Sequence, residues 1–231
     1  MSYVFIHGAN YDSSCWRFVV PHLDGPAVLV DLPGRGLRPA ELANVSARDF
    51  GAAAAEDVER ADVTNGVLVA HSAGGLTTSQ LLNRMPERFR AVVLVAAVFA
   101  PHGSAMVDNI DPEVRENVIA GAGDGTYALD EETAHSILCN DLDEEMARVA
   151  ISEMQSDTTS LLAEPYDLTG MRSFESITYV RTLRDLTVPQ AQQEASMAVL
   201  GGCKVIDIDA GHMVMLSRPE ELAKIIVEAG R

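Results

Sequence analysis

The sequence predicts an α/β protein built on a doubly wound, mostly parallel sheet. Three observations point there. Short apolar runs recur along the chain, and most are continuously apolar rather than alternating, as expected of parallel strands covered on both faces. Helical patterns lie between them, and strand–helix alternation is how such a sheet is wound. Hydrophobic residues make up 47% and charged residues 22% of 231 residues, which suits a large single core and not a disordered chain.

In chain order, residues 3–6, 27–30, 67–70, 91–96, 177–180 and 204–208 read as strands, each ending in a glycine-rich or polar turn. Helices are predicted over 46–60, with Ser46 as N-cap, over 75–84, ending before Pro86, and over 189–200 and 219–229. Residues 101–172 break the rhythm. They carry no strand pattern, and helical stretches at 112–120, 131–139 and 143–155 are separated by Gly-, Asp-, Ser- and Thr-rich turns. The expected organisation is a core of 1–100 and 173–231 with 101–172 inserted as a helical cap, ordinary surface helices being the plainer alternative. Ligands of such a sheet bind at the carboxyl ends of its strands.

Composition removes several classes. A formal charge of −17 repels nucleic acid and anionic membrane surfaces, so neither is an expected partner. Cys15, Cys139 and Cys203 are odd in number and widely spaced, so neither a disulfide framework nor a zinc site is expected, and no other metal or cofactor. The N-terminus lacks a basic, long-apolar signal, and no window reaches the roughly 18 apolar residues of a membrane span. The expected location is the cytoplasm, and a homodimer is compatible with the chain.

The most informative stretch is Val67-Leu68-Val69-Ala70-His71-Ser72-Ala73-Gly74-Gly75. A buried strand runs into small-x-Ser-x-Gly and then a helix. A serine on so sharp a turn needs small residues two before and two after it, here Ala70 and Gly74. The turn also leaves the Ser72 hydroxyl at a helix N-terminus, where developing negative charge is favoured. The bland reading of Ser72 is a helix cap in a glycine-rich turn.

A nucleophilic serine needs a base, and the base an orienting carboxylate. Among six histidines, His212 lies in the turn after the last strand, on the sheet edge of Ser72. His22, His102 and His135 lie in connecting or inserted segments, His71 points away from the serine, and His7 is expected to hold the first loop. Asp185 follows the penultimate strand and is the expected acid. Its rivals are Asp207, inside the strand, and Asp209, too close to His212 for an easy hydrogen bond. The order Ser72, Asp185, His212 is far more specific than any one residue. After the first strand, His7-Gly8-Ala9-Asn10 can turn the Ala9 N–H toward the nucleophile, to form an oxyanion hole with the Ala73 N–H. Where such a donor serves an enzyme's oxyanion it is worth roughly 2.7–4 kcal/mol.

Several segments together resemble one family. Phe5-Ile6-His7-Gly8-Ala9, Asp31-Leu32-Pro33-Gly34-Arg35-Gly36, Val69-Ala70-His71-Ser72-Ala73-Gly74-Gly75, Tyr179-Val180-Arg181-Thr182-Leu183-Arg184-Asp185 and Ala210-Gly211-His212-Met213-Val214-Met215-Leu216 are similar to segments of the plant methylesterase and hydroxynitrile lyase family of α/β-hydrolases, with its bacterial pyrethroid-type carboxylesterase relatives. The resemblance implies an α/β-hydrolase fold with a six-stranded sheet and a small helical cap. It also implies a catalytic role for Ser72, Asp185 and His212. The lyases carry a threonine where this chain has Gly8 and a lysine where it has Met213, so the resemblance favours the hydrolytic branch. The expected activity is a serine carboxylesterase on a small to medium apolar ester. The alternatives are a C–C lyase of the hydroxynitrile type and a non-catalytic small-molecule receptor. Gly8, Asn10, Trp16 and Met213 are the expected pocket residues, with Met106, Tyr127, Leu138 and Met146 as candidate walls from the cap.

Overall fold

The computed structural model describes residues 1–110, 115–116, 119 and 124–231. Its strands are, in chain order, β1 (Tyr3–Ile6), β2 (Ala27–Val30), β3 (Gly66–His71), β4 (Phe89–Val95), β5 (Thr126–Tyr127), β6 (Asp157–Thr158), β7 (Ile177–Thr182) and β8 (Lys204–Ile208). Six of them form one sheet in the order β2-β1-β3-β4-β7-β8, and every neighbouring pair is parallel. The continuous apolar runs have the expected cause. Val4, Ile6, Leu68, Ala70, Val92, Leu94 and Tyr179 pack on one face, and Tyr3, Phe5, Val67, Val69, Val93, Val95 and Val180 on the other.

Helices cover both faces. The α-helices are α1 (Ala47–Arg60), α2 (Gly74–Arg84), α3 (Glu131–Leu138), α4 (Glu144–Ser152), α5 (Ser160–Ala163), α6 (Thr169–Arg172), α7 (Gln190–Leu200), α8 (Val214–Ser217) and α9 (Pro219–Ala229). Ser46 precedes α1, and its backbone N–H donates to the Asp49 carboxylate at 2.8 Å, satisfying a donor at the helix entry. Phe50, Ala54 and Val58 of α1 and Leu76, Leu81 and Leu82 of α2 fill the first face, while Leu222, Ala223 and Ile226 of α9 fill the second.

Between β4 and β7 the chain adds short elements that the sequence does not predict, among them the four-residue helices α5 and α6. β5 and β6 pair antiparallel, two residues each, where the sequence predicts no strand. Two residues carry no periodicity, so nothing local announces such a pair. Helices α3 and α4 fall where predicted, each opened by an aspartate: Asp130 accepts the Thr133 N–H at 2.8 Å and Asp143 the Met146 N–H at 2.8 Å. The helix expected over 112–120 lies outside the described residues. The segment touches both layers. Met106, Leu161, Tyr166, Leu168 and Met171 join the first core face, and Ala134, Leu138, Cys139, Ala147 and Ala150 the second.

Candidate active site

Ser72 follows β3 directly and has φ +52°, a left-handed backbone that an L-residue holds only under surrounding constraint. The constraint is visible. The Ser72 N–H donates to Val95 O at 3.0 Å, and the Val98 and Gly75 N–H groups both donate to Ser72 O at 3.1 Å. Close backbone approach explains the glycine two residues on: a Cβ at Gly74 would lie 2.6 Å from His7 O. Ser72 as a whole is 9% exposed.

Asp185 lies in the turn after β7. Its Oδ1 accepts the Thr187 N–H at 2.9 Å and the Val188 N–H at 2.8 Å, and its Oδ2 accepts the Thr182 hydroxyl at 2.8 Å. Burial alone would raise its carboxyl. The neighbouring His212 and these hydrogen bonds outweigh burial and hold it below the usual carboxylate range. The turn is clamped by Gln193 of α7, whose Nε2 donates to Thr182 O at 2.9 Å and Val188 O at 2.8 Å. Its Oε1 accepts the Thr182 N–H at 3.1 Å. Sequence reasoning missed Gln193, because a glutamine in a helix of mixed polarity carries no local sign of burial.

His212 lies in the turn after β8, beside β7 in the sheet. The structure brings the three residues into one row: His212 Nδ1 donates to Asp185 Oδ2 at 2.8 Å, and Nε2 faces Ser72 Oγ at 3.1 Å. With its Nδ1 proton committed, the imidazole presents a lone pair to the serine hydroxyl. The rivals are occupied elsewhere. Asp207 and Asp209 are surface partners of Arg181 and Arg184. The His7 Nδ1–H donates to Gly8 O at 2.8 Å and its Nε2 accepts the Leu32 N–H at 3.3 Å, which holds the first loop. His71 does not simply point away. Its Nε2 donates to His212 O at 3.0 Å, and its ring lies 4.5 Å from the His212 ring. Burial first, then the adjacent His212, keep His71 far below the usual imidazole range and neutral. Burial likewise pushes the Cys15 thiol well up, so it is no competing nucleophile at neutral pH.

Ala9 follows β1, and Ala73 follows the serine. Among the described residues neither N–H donates to a protein acceptor. Gly8 meets Ser72 directly, since a Cβ there would lie 2.9 Å from Ser72 Cβ. The other expected pocket residues are placed differently. Trp16 is 0% exposed and packs its ring on Phe5 and edge-on to His71, so it supports the site from behind instead of lining it. Met213 is 1% exposed in the same core. The Asn10 Nδ2 is spent on Gln155 O at 2.9 Å, making it a tether rather than a pocket wall. Met106 and Leu138 are buried in opposite core faces, and Tyr127 and Met146 are half-buried.

A six-stranded parallel sheet bearing serine, aspartate and histidine in that order, with the serine on a strained turn between strand and helix, defines the α/β-hydrolase class. The chain belongs to the alpha/beta hydrolase family, whose family model matches residues 3–225. It is similar to a pyrethroid hydrolase from Sphingobium wenxiniae, 24% identical over 97% of this chain and 86% of the relative. It is also similar to methylesterase 7 of Arabidopsis thaliana, 27% identical over 98% of this chain and 95% of the relative. An extracellular alpha/beta-hydrolase from a Paenibacillus species shares its fold with a TM-score of 0.91 at 21% identity, covering 100% of this chain and 99% of the other. A polyneuridine aldehyde esterase variant does so with a TM-score of 0.82 at 19% identity, covering 98% of both.

Proposed function

We propose that the protein is a serine carboxylesterase acting on small to medium apolar carboxylic esters. The observation that carries the reading is the unbroken hydrogen-bonded row from Ser72 Oγ through His212 to Asp185. Ser72 Oγ attacks the ester carbonyl while His212 Nε2 takes its proton. The Ala9 and Ala73 N–H groups receive the oxyanion, and His212 returns the proton to the departing alcohol. Water, deprotonated by the same imidazole, then attacks the acyl-enzyme and frees Ser72. Asp185 holds the imidazole in the required tautomer throughout.

Esterase relatives support the hydrolytic direction. So do Gly8, which offers no hydroxyl beside Ser72, and Met213, which supplies no ammonium next to His212 for a leaving anion. Residues 101–172, which touch both core faces, act as the cap that bounds the substrate. The test is turnover of p-nitrophenyl esters of graded acyl length by the parent and by Ser72→Ala. Turnover that vanishes in the variant supports the reading. Equal activity in both removes it, and tight ligand binding without turnover favours a receptor.

A further inference from the structure

The loop carrying Ala9 is held by a buried ion pair outside the catalytic row. Asn10, directly after Ala9, has φ +62°. Three of its polar groups are drawn toward 155–157: the N–H donates to Asp157 Oδ2 at 2.9 Å, Nδ2 to Gln155 O at 2.9 Å, and its carbonyl accepts the Gln155 N–H at 2.9 Å. Gln155 Nε2 extends the seam to Asp12 Oδ2 at 2.8 Å, and Tyr11 OH reaches Ala150 O at 3.1 Å.

Asp157 anchors this seam. Its side chain is 0% exposed and paired with the 1% exposed Arg35 guanidinium, and its Oδ1 accepts the Thr158 N–H at 2.7 Å. Arg35 is fixed in turn by donating from Nη1 to Pro33 O at 3.1 Å. Three segments therefore meet: the loop after β1, the turn after β2, and β6 of the 101–172 segment. A buried ion pair is weak evidence of stabilisation, because desolvating both charges offsets their attraction. Its strength is fixing one arrangement, and the atom it fixes is the amide next to Ala9.

We infer that Asp157, held by Arg35, is a positioning residue. By accepting the Asn10 N–H it locks the left-handed turn that keeps the Ala9 N–H aimed at the oxyanion. The 101–172 segment thus sets catalytic competence as well as bounding substrate. The inference rests on the esterase reading above.

Two double variants test it without leaving an orphan buried charge. Asp157→Asn with Arg35→Met keeps a carbonyl acceptor for Asn10, while Asp157→Ala with Arg35→Met removes it. Both are compared with the parent by kcat and KM on a p-nitrophenyl ester, normalised to Ser72 titrated with a fluorophosphonate. Affinity for a trifluoromethyl ketone, whose adduct oxyanion uses the same donors, is measured in parallel. The expected result is a kcat about tenfold or more lower in the alanine pair, with KM within about twofold and weaker ketone binding. The asparagine pair should keep kcat within about threefold of the parent.

Parent-like kcat and ketone affinity in the alanine pair overturn the inference, as does a rise in KM alone. If the alanine pair does not fold, Asp157→Leu with Arg35→Met, which fills the space but likewise offers Asn10 no acceptor, takes its place: a tenfold loss of kcat there beside a retained kcat in the asparagine pair supports the inference, and parent-like kcat overturns it. A parent without Ser72-dependent turnover overturns the esterase reading, and the inference with it. That outcome is distinct, because it is seen before any variant at 157 is made.

Discussion

In the proposed mechanism His212 acts as the base, with Nδ1 bonded to Asp185 and Nε2 facing Ser72. Asp185→Asn would present an amide to Nδ1 and favour the wrong tautomer, and kcat is expected to fall on the order of 10³–10⁴-fold, with a lower melting temperature because the stabilising carboxylate is lost, but with the chain still folded at assay temperature. Steady-state kinetics beside a thermal melt checks this, and a fall under tenfold would contradict the role given to Asp185. At position 8 the constraint is spatial. With a new Cβ 2.9 Å from Ser72 Cβ, Gly8→Ala displaces the nucleophile, and kcat is expected to drop by about 10²-fold without loss of fold. Circular dichroism with esterase kinetics distinguishes a moved serine from an unfolded chain.

At the scale of elements, the site depends on how closely α2 is set against β1. A Cβ added at Gly74 would lie 2.6 Å from His7 O and 3.0 Å from Ile6 O. Neither atom can swing aside, as both belong to the backbone. Gly74→Ala is therefore expected to destabilise by about 1–3 kcal/mol, seen as a lower denaturant midpoint. Trp16, fully buried between Phe5 and His71, should cost about 3–5 kcal/mol on truncation to alanine. The core strands and the longer helices were legible in sequence to within a few residues, since each is long enough to show its own apolar pattern, whereas the four-residue helices α5, α6 and α8 were not. The β5–β6 pair was not, for the opposite reason.

For the whole molecule, two buried histidines link stability to pH. Burial lowers His7 and, further, His71, so between their folded values and about 6.5 the unfolded chain binds protons the folded one refuses. Stability therefore rises with pH across that window and falls on acidification, with a limiting slope of about 1.4 kcal/mol per pH unit per group. The urea midpoint should drop between pH 7 and pH 5, and His71→Gln should flatten the slope. The variant comparison isolates the histidine from the relief of a −17 net charge. Asp185 acts lower: its depressed carboxyl contributes stability above about 3.9 that is lost as pH falls through its folded value.

By itself the sequence determined the alternation of buried strands and helices, the strained turn at Ser72, and the order in which serine, aspartate and histidine reach one sheet edge. These are local matters: apolar runs encode burial on both faces, and small residues encode close approach. Only the tertiary structure decided which atoms meet. His71 bonding the His212 carbonyl and Asp157 with Arg35 holding Asn10 join residues distant in sequence, and Gln193 clamps the acid turn from the following helix. It also moved Trp16 and Met213 from the expected pocket wall into the core behind it. A side chain's partner depends on where separate segments are brought together, and no local pattern around a glutamine, an arginine or a tryptophan records that.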